Sequence, residues 1–358
     1  DGEHAPVSCK QCHVKTLEPV RASVREPALR GGFTSTATAC ASCHMKTDTY
    51  MVVDPRHDHS FRIPRPDRTV SLGTPNACNQ CHTDRDAAWA AAAIRKRYPE
   101  PKPGFQGFAE AFAAADRGDP SAAMALTQVA ANQDESAIAR ASALERLAGV
   151  PGESSLLAAE AALDDASPLV RRSAVAVFEQ LPPLQRRAVM PLLADPSRIV
   201  RMQAARTLAP LADDAFDATS LAAFRVAADE FAAAERFNAD RPEHRTNLGG
   251  FLAERGEAAA AEAEYRAALQ LDQRFVPAWA NLADLLRMLG REAEVEQTLR
   301  EGLALSPDAA ALHHALGLSL VRQQRKDEAL RELRRAAELD PANQRFKYVY
   351  DVARAELR

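Results

Sequence analysis

Residues 242 to 343 repeat every 34 positions, and no other feature of this 358-residue chain restricts its fold so far. With copies starting at 242, 276 and 310, a large apolar column reads Leu248, Leu282 and Leu316, followed at once by a small one, Gly249, Ala283 and Gly317. Further on, Ala261, Val295 and Ala329, then Tyr265, Leu299 and Leu333, then Ala268, Gly302 and Ala336 fall in register. Small residues recur where two helices approach closely, and large ones fill the gap between successive hairpins. Each such unit touches only its neighbours, so a stack of helical hairpins is expected instead of one central core. Phe231 and Ala234 carry the register one period upstream, which predicts an incomplete fourth unit. The closing "NQRFKYVYDVARAELR" reads as a capping helix.

A shorter period precedes this one. Asp134, Asp165 and Asp195 are each followed six residues later by arginine (Arg140, Arg171, Arg201) and nine later by alanine (Ala143, Ala174, Ala204). The position thirteen on is apolar in all three, Leu147, Phe178 and Leu208. The 34-residue set resembles tetratricopeptide repeats, with Trp279 in that family's aromatic column; the other, of about 31 residues, resembles HEAT-type hairpins of somewhat short unit. The resemblance implies an all-α solenoid, HEAT-like over residues 101–215 and tetratricopeptide over 216–358. It also implies a surface for a peptide or partner protein, against the plainer reading of a scaffold that only fixes spacing or assembly. His244, His313 and His314 in this region read as packed or solvent-facing residues, not as metal ligands.

Composition changes sharply near residue 100. All six cysteines and six of the nine histidines lie before it, whereas Ala, Leu, Glu and Arg dominate afterwards. Residues 1–100 carry 14 Lys and Arg against 11 Asp and Glu, and the remainder 31 against 38. A net charge of −4 offers no argument for nucleic acid, and no apolar run reaches the length of a membrane span. Asp1 opens a polar segment without a secretion signal, so the chain reads as a processed mature form or as a fragment lacking upstream sequence.

The six cysteines occur as "CKQCH" (Cys9, Cys12, His13), "CASCH" (Cys40, Cys43, His44) and "CNQCH" (Cys78, Cys81, His82), with none left over. The pattern C-x-x-C-H is the attachment site of c-type haem: two thiols bond to one porphyrin edge and the next histidine reaches the iron. Residues three apart share one side of a helical turn, which lets both sulfurs meet that edge. Three disulfides would not require the histidines, and zinc draws four ligands from paired knuckles, which three identical motifs do not supply evenly. Residues 1–100 thus resemble a multihaem c-type cytochrome. That resemblance implies three covalent haems per chain, export before attachment to a periplasmic or extracellular location, and a redox role. Around the motifs, stretches such as "REPALRGGFTSTATA" lack sustained periodicity, so a domain with little regular structure wrapped on its macrocycles is expected.

Three six-coordinate irons served by His13, His44 and His82 need three further ligands, and His4, His57 and His59 are the histidines that remain before residue 100. Met45 follows His44 directly and faces away from its iron, and Met51 sits in the apolar run "TYMVVD", so neither is expected to compete. In extended backbone His57 and His59 share a face roughly 7 Å apart, so one short segment would serve two haems lying close together. Imidazole on both sides leaves no open position for substrate, which favours electron transfer with a redox protein or cytochrome as partner. Two other readings stand beside it: a subunit of a conducting cytochrome polymer, and a multihaem oxidoreductase with one open haem. No Ser/His/Asp constellation, phosphate-binding glycine loop or H-E-x-x-H motif is present, and no catalytic residue is assigned.

Overall fold

A computed structural model describes residues 47–50, 54–57, 63–99, 106–150 and 152–356. The chain divides into two compact units, Asp1–Asp119 and Pro120–Arg358. Among the described residues no helix is long and apolar enough to cross a membrane.

The first unit holds a two-stranded antiparallel hairpin, β1 (Thr47–Tyr50) and β2 (Asp54–His57), in which Thr47 pairs with His57 and Tyr50 with Asp54. Pro55 is tolerated in β2 because a two-stranded sheet consists only of edges. Among the described residues of this unit four helices follow. α1 (Pro66–Leu72) begins on a proline, whose missing N–H costs nothing at the first turn, and ends at Gly73 with φ +73°. α2 is the single turn Cys78–Cys81. α3 (Ala87–Arg97) starts on Asp86, whose carboxylate accepts the Trp89 N–H, and ends in Arg95, Lys96 and Arg97, which complement the helix dipole. α1 and α3 pack together, burying Pro66 and Arg68 on one and Ala90 and Ala91 on the other. α4 (Ala109–Asp116) is tied to α1 through Arg68, which reaches the Glu110 carboxylate and donates to the Gln106 carbonyl at 3.1 Å. This is more regular structure than periodicity revealed. Strands of four residues are too short to display alternation, and the alanines of α3 give no apolar contrast between faces.

The second unit is helical throughout its described residues. Its first part stacks α5 (Ala122–Ala131) on α6 (Ala137–Leu147), then α7 (Glu153–Ala162) on α8 (Pro168–Val177). A 3₁₀ stretch, Pro183–Ala194, then packs on α9 (Arg198–Leu208). Pro191, inside the stretch, removes a donor and crowds the preceding turn and so disfavours an α-helix there, whereas Pro183 stands at its first position, where a missing N–H costs nothing. The Asp-and-Arg columns turn out to be a ladder between copies. Arg140 bonds Asp165 of the next unit at 2.9 Å, Arg171 grips Asp195 at 2.7 and 2.9 Å, and Arg201 takes Glu230 where no fourth aspartate follows. Each arginine also donates to a carbonyl of its own preceding loop, at Glu135, Asp165 and Asp195.

α10 (Ala218–Phe237) is one 20-residue helix capped by Asp217 and stands where an incomplete repeat was expected, with Phe231 buried against Phe251. Three hairpins follow: α11 (Pro242–Glu254) with α12 (Ala258–Leu271), α13 (Val276–Met288) with α14 (Glu292–Leu305), and α15 (Ala310–Arg322) with α16 (Lys326–Leu339). α17 (Gln344–Glu356) closes the stack. Every residue of the large columns is buried, each leucine contributing about 1.5–3 kcal/mol by leaving water. The small columns are close approaches. A Cβ on Gly317 would lie 2.6 Å from Leu333 Cγ, and one on Gly249 2.7 Å from the Tyr265 ring. Burial pushes that tyrosine's hydroxyl up to about 12. Gly256 and Gly290 turn each hairpin with positive φ; one period on, Gln324 adopts the same conformation at φ +60°.

Candidate functional site

The third C-x-x-C-H motif lies among the described residues and is held by a bracket of side chains. Asn76 donates to Thr69 Oγ1 of α1 at 3.1 Å and to Asn79 Oδ1 at 2.9 Å, while the Asn79 N–H donates back to Asn76 Oδ1 at 3.2 Å. The pair anchors the start of α2 against α1. Cys78 and Cys81 stand at the two ends of that single turn, which closes through the His82 N–H donating to the Cys78 carbonyl at 2.9 Å. Asn79, between the two cysteines, donates from Nδ2 to the Arg85 carbonyl at 2.7 Å, and the Arg85 N–H donates to the His82 carbonyl at 3.2 Å. These bonds fix the short turn after His82 and so set where α3 begins. Asp86 then caps α3 through Trp89 N–H at 2.7 Å. The Trp89 indole returns to the His82 imidazole, ring centroids 4.8 Å apart and planes tilted by 54°. The Arg85 guanidinium lies 5.9 Å from the centre of the Trp89 ring.

A covalently attached haem fits this donor set. Two cysteines three apart occupy one helical turn, an imidazole follows immediately, and Cys78 and His82 are only half-buried, so a flat macrocycle has access to them. Sequence reading found the motif but missed Asn76, Asn79 and Trp89; the Asp86-to-Trp89 spacing of a helix cap was the one signal for the last of these.

His57 is the final residue of β2, in extended backbone, paired in register with Thr47. Cys9, Cys12, His13, Cys40, Cys43, His44, His4 and His59 lie outside the described residues, as do Met45 and Met51. The repeat histidines are occupied by local partners or packing. His244 Nδ1 meets Glu235 at 2.8 Å, and His313 meets Glu332 at 2.6 Å and the Pro307 carbonyl at 2.9 Å. His314 is buried against Phe346, with neither ring nitrogen hydrogen-bonded.

The helical repeats carry a different candidate, an open groove of about 560 Å³ formed by α12, α13 and α14. Leu269, Leu282 and Leu305 give it apolar lining, and Arg266 and Glu301 line it as well. Trp279 lines it too, held in place by its indole N–H donating to the Gln273 carbonyl at 2.8 Å.

Residues 310–343 match the tetratricopeptide repeat family. No curated protein matches the chain. Among solved structures, MamA aligns at 16% identity and TM-score 0.30, over 48% of this chain and 90% of its own. A monomeric mutant of IFIT1 with m7Gppp-AAAA aligns at 13% identity and TM-score 0.37, over 75% of this chain. The APC/C hetero-tetramer Cut9-Hcn1 aligns at 16% identity and TM-score 0.31, also over 75%. The matched regions span 61% and 59% of the latter two chains.

Proposed function

We propose that this chain is an exported electron carrier with three covalently attached c-type haems, and that its helical repeats hold it against a protein partner. The observation that carries the haem reading is the third motif, in which Cys78 and Cys81 bound one helical turn and His82 follows it. Cys78 and Cys81 would hold one haem with His82 at its iron. On the same pattern Cys9, Cys12 and His13 would hold a second, and Cys40, Cys43 and His44 a third. Haem, when bound, supplies a one-electron iron couple. His4, His57 and His59 would complete the ligand count, and with two histidines to each iron no position would remain for a substrate. That distinguishes a carrier from an oxidoreductase. Attachment of c-type haem follows export, which gives a periplasmic or extracellular location.

The tetratricopeptide match over residues 310–343 and the apolar groove between α12 and α14 support the partner-binding half of the reading. Arg266 and Glu301 beside that groove would orient a bound segment more than they would strengthen its binding.

Optical spectroscopy of the reduced protein tests the carrier assignment. A low-spin spectrum that carbon monoxide leaves almost unchanged is expected. A large carbon monoxide shift would move the assignment to an enzyme with an open haem.

A further inference from the structure

We propose that the groove formed by α12, α13 and α14 seats a large apolar side chain of a partner protein, carried on a segment with lysine or arginine beside it. The proposal rests on the partner-binding reading above and adds the chemistry that the groove selects. One position of the 34-residue repeat bonds a carbonyl six residues back in all three copies. Arg245 donates to Ala239 at 3.0 Å, Trp279 to Gln273 at 2.8 Å and His313 to Pro307 at 2.9 Å. In the outer copies the same side chain also reaches the second helix of its hairpin, Arg245 meeting Glu264 at 3.0 Å and His313 meeting Glu332 at 2.6 Å. The middle copy holds Thr298 where those carboxylates stand, and an indole has no second donor with which to reach across. Trp279 and Thr298 thus replace the bridge of the flanking hairpins, and both line the groove of about 560 Å³.

The lining sets what can enter. Leu305 is 37% exposed, so an apolar group laid against it removes apolar surface from water. Pockets of about 300–1,000 Å³ hold organic groups, and an open one suits a side chain whose backbone continues outside. The charge of the groove is one-sided. Arg266 donates twice to Glu262, at 3.0 and 2.8 Å, so its charge is answered within α12. Glu301 accepts from the neutral Gln297 amide at 2.8 Å, and among the described residues it enters no ion pair. A cation on the incoming segment would complete this carboxylate, whereas an acidic segment would be repelled. Such pairing selects between partners more than it adds to affinity.

The test is isothermal titration calorimetry of the full-length protein with short peptides, each a central phenylalanine flanked by lysines, by glutamates or by serines. Two variants stand beside the wild type. The double variant Trp279→Arg, Thr298→Glu rebuilds in the middle copy the pair of its neighbours and leaves net charge unchanged; Glu301→Gln removes the exposed carboxylate alone. The lysine-flanked peptide should bind wild type about tenfold more tightly than the glutamate-flanked one at low salt. It should lose its binding in the double variant, with helix content by circular dichroism retained, and lose its advantage in Glu301→Gln. Equal binding of the two charged peptides, or undiminished binding to the double variant, would overturn the proposal and leave the partner reading standing. Wild-type self-association in sedimentation velocity that the double variant abolishes would give the groove to a second copy of this chain and overturn it as well. Failure of all three peptides to bind would remove the partner reading with it.

Discussion

Arg171 shows how one side chain can account for a column of sequence. It spans two copies of the shorter repeat, gripping Asp195 of the next while donating to the Asp165 and Ala166 carbonyls of its own loop. Both members of the pair are largely withdrawn from solvent. Burial alone would raise the Asp195 carboxyl, but the bonds from Arg171 and from the Ser197 N–H outweigh it and hold the group below its ordinary value. A depressed carboxylate contributes stability that is complete above its unfolded value of 3.8 and is lost as pH falls through the folded one. Arg171→Ala strands a buried carboxylate, so a loss of about 3–5 kcal/mol is expected at pH 7. In the variant, where burial raises the Asp195 carboxyl without Arg171 to oppose it, protonation relieves the penalty, so the difference from wild type should shrink towards pH 4. Urea unfolding at the two pH values checks both the size of the loss and its direction.

At the scale of elements, α17 is held without a buried core residue. None of its residues is fully buried, and Tyr348 and Val352 face solvent. Its contact with the repeats includes Phe346 stacked on His314 at 4.7 Å, and that histidine is 8% exposed. Burial, then the charge of Arg345 on α17, pushes the imidazole below its ordinary 6.5. The unfolded chain therefore takes up the proton first, and stability at this end falls as pH drops below 6.5 towards the folded value. Protection factors in α17, the intrinsic exchange rate divided by the observed rate at each pH, should fall as pH drops over that window and should not vary with pH in His314→Leu. Helices of this kind were legible because their columns survive substitution. The turn at Gln324 was not read from the sequence: glycine holds this place one and two periods earlier, and glutamine adopts the same left-handed conformation at a cost of about 1–2 kcal/mol. α3 was not legible, since "AAWAAAAIRKR" buries only small alanines and shows no stripe. The Asn76 and Asn79 bracket was hidden for another reason. A pattern that leaves two positions free between its cysteines says nothing about what those side chains hold.

For the molecule as a whole, two units of different chemistry are joined: a cysteine- and histidine-rich front part with a small positive balance, and an acidic helical stack. The stack buries long leucine columns and needs no cofactor to account for its fold. The front part is where the proposed haem reading must hold, because its six cysteines and six histidines form three C-x-x-C-H patterns and leave one further histidine for each. Intact mass spectrometry of the denatured, full-length protein, produced in a host that matures c-type cytochromes, tests this most directly. The account predicts the chain plus three haems that denaturation does not release, one of them on the peptide containing Cys78 and Cys81. The bare chain mass, with its cysteines as thiols or joined in disulfides, would contradict it.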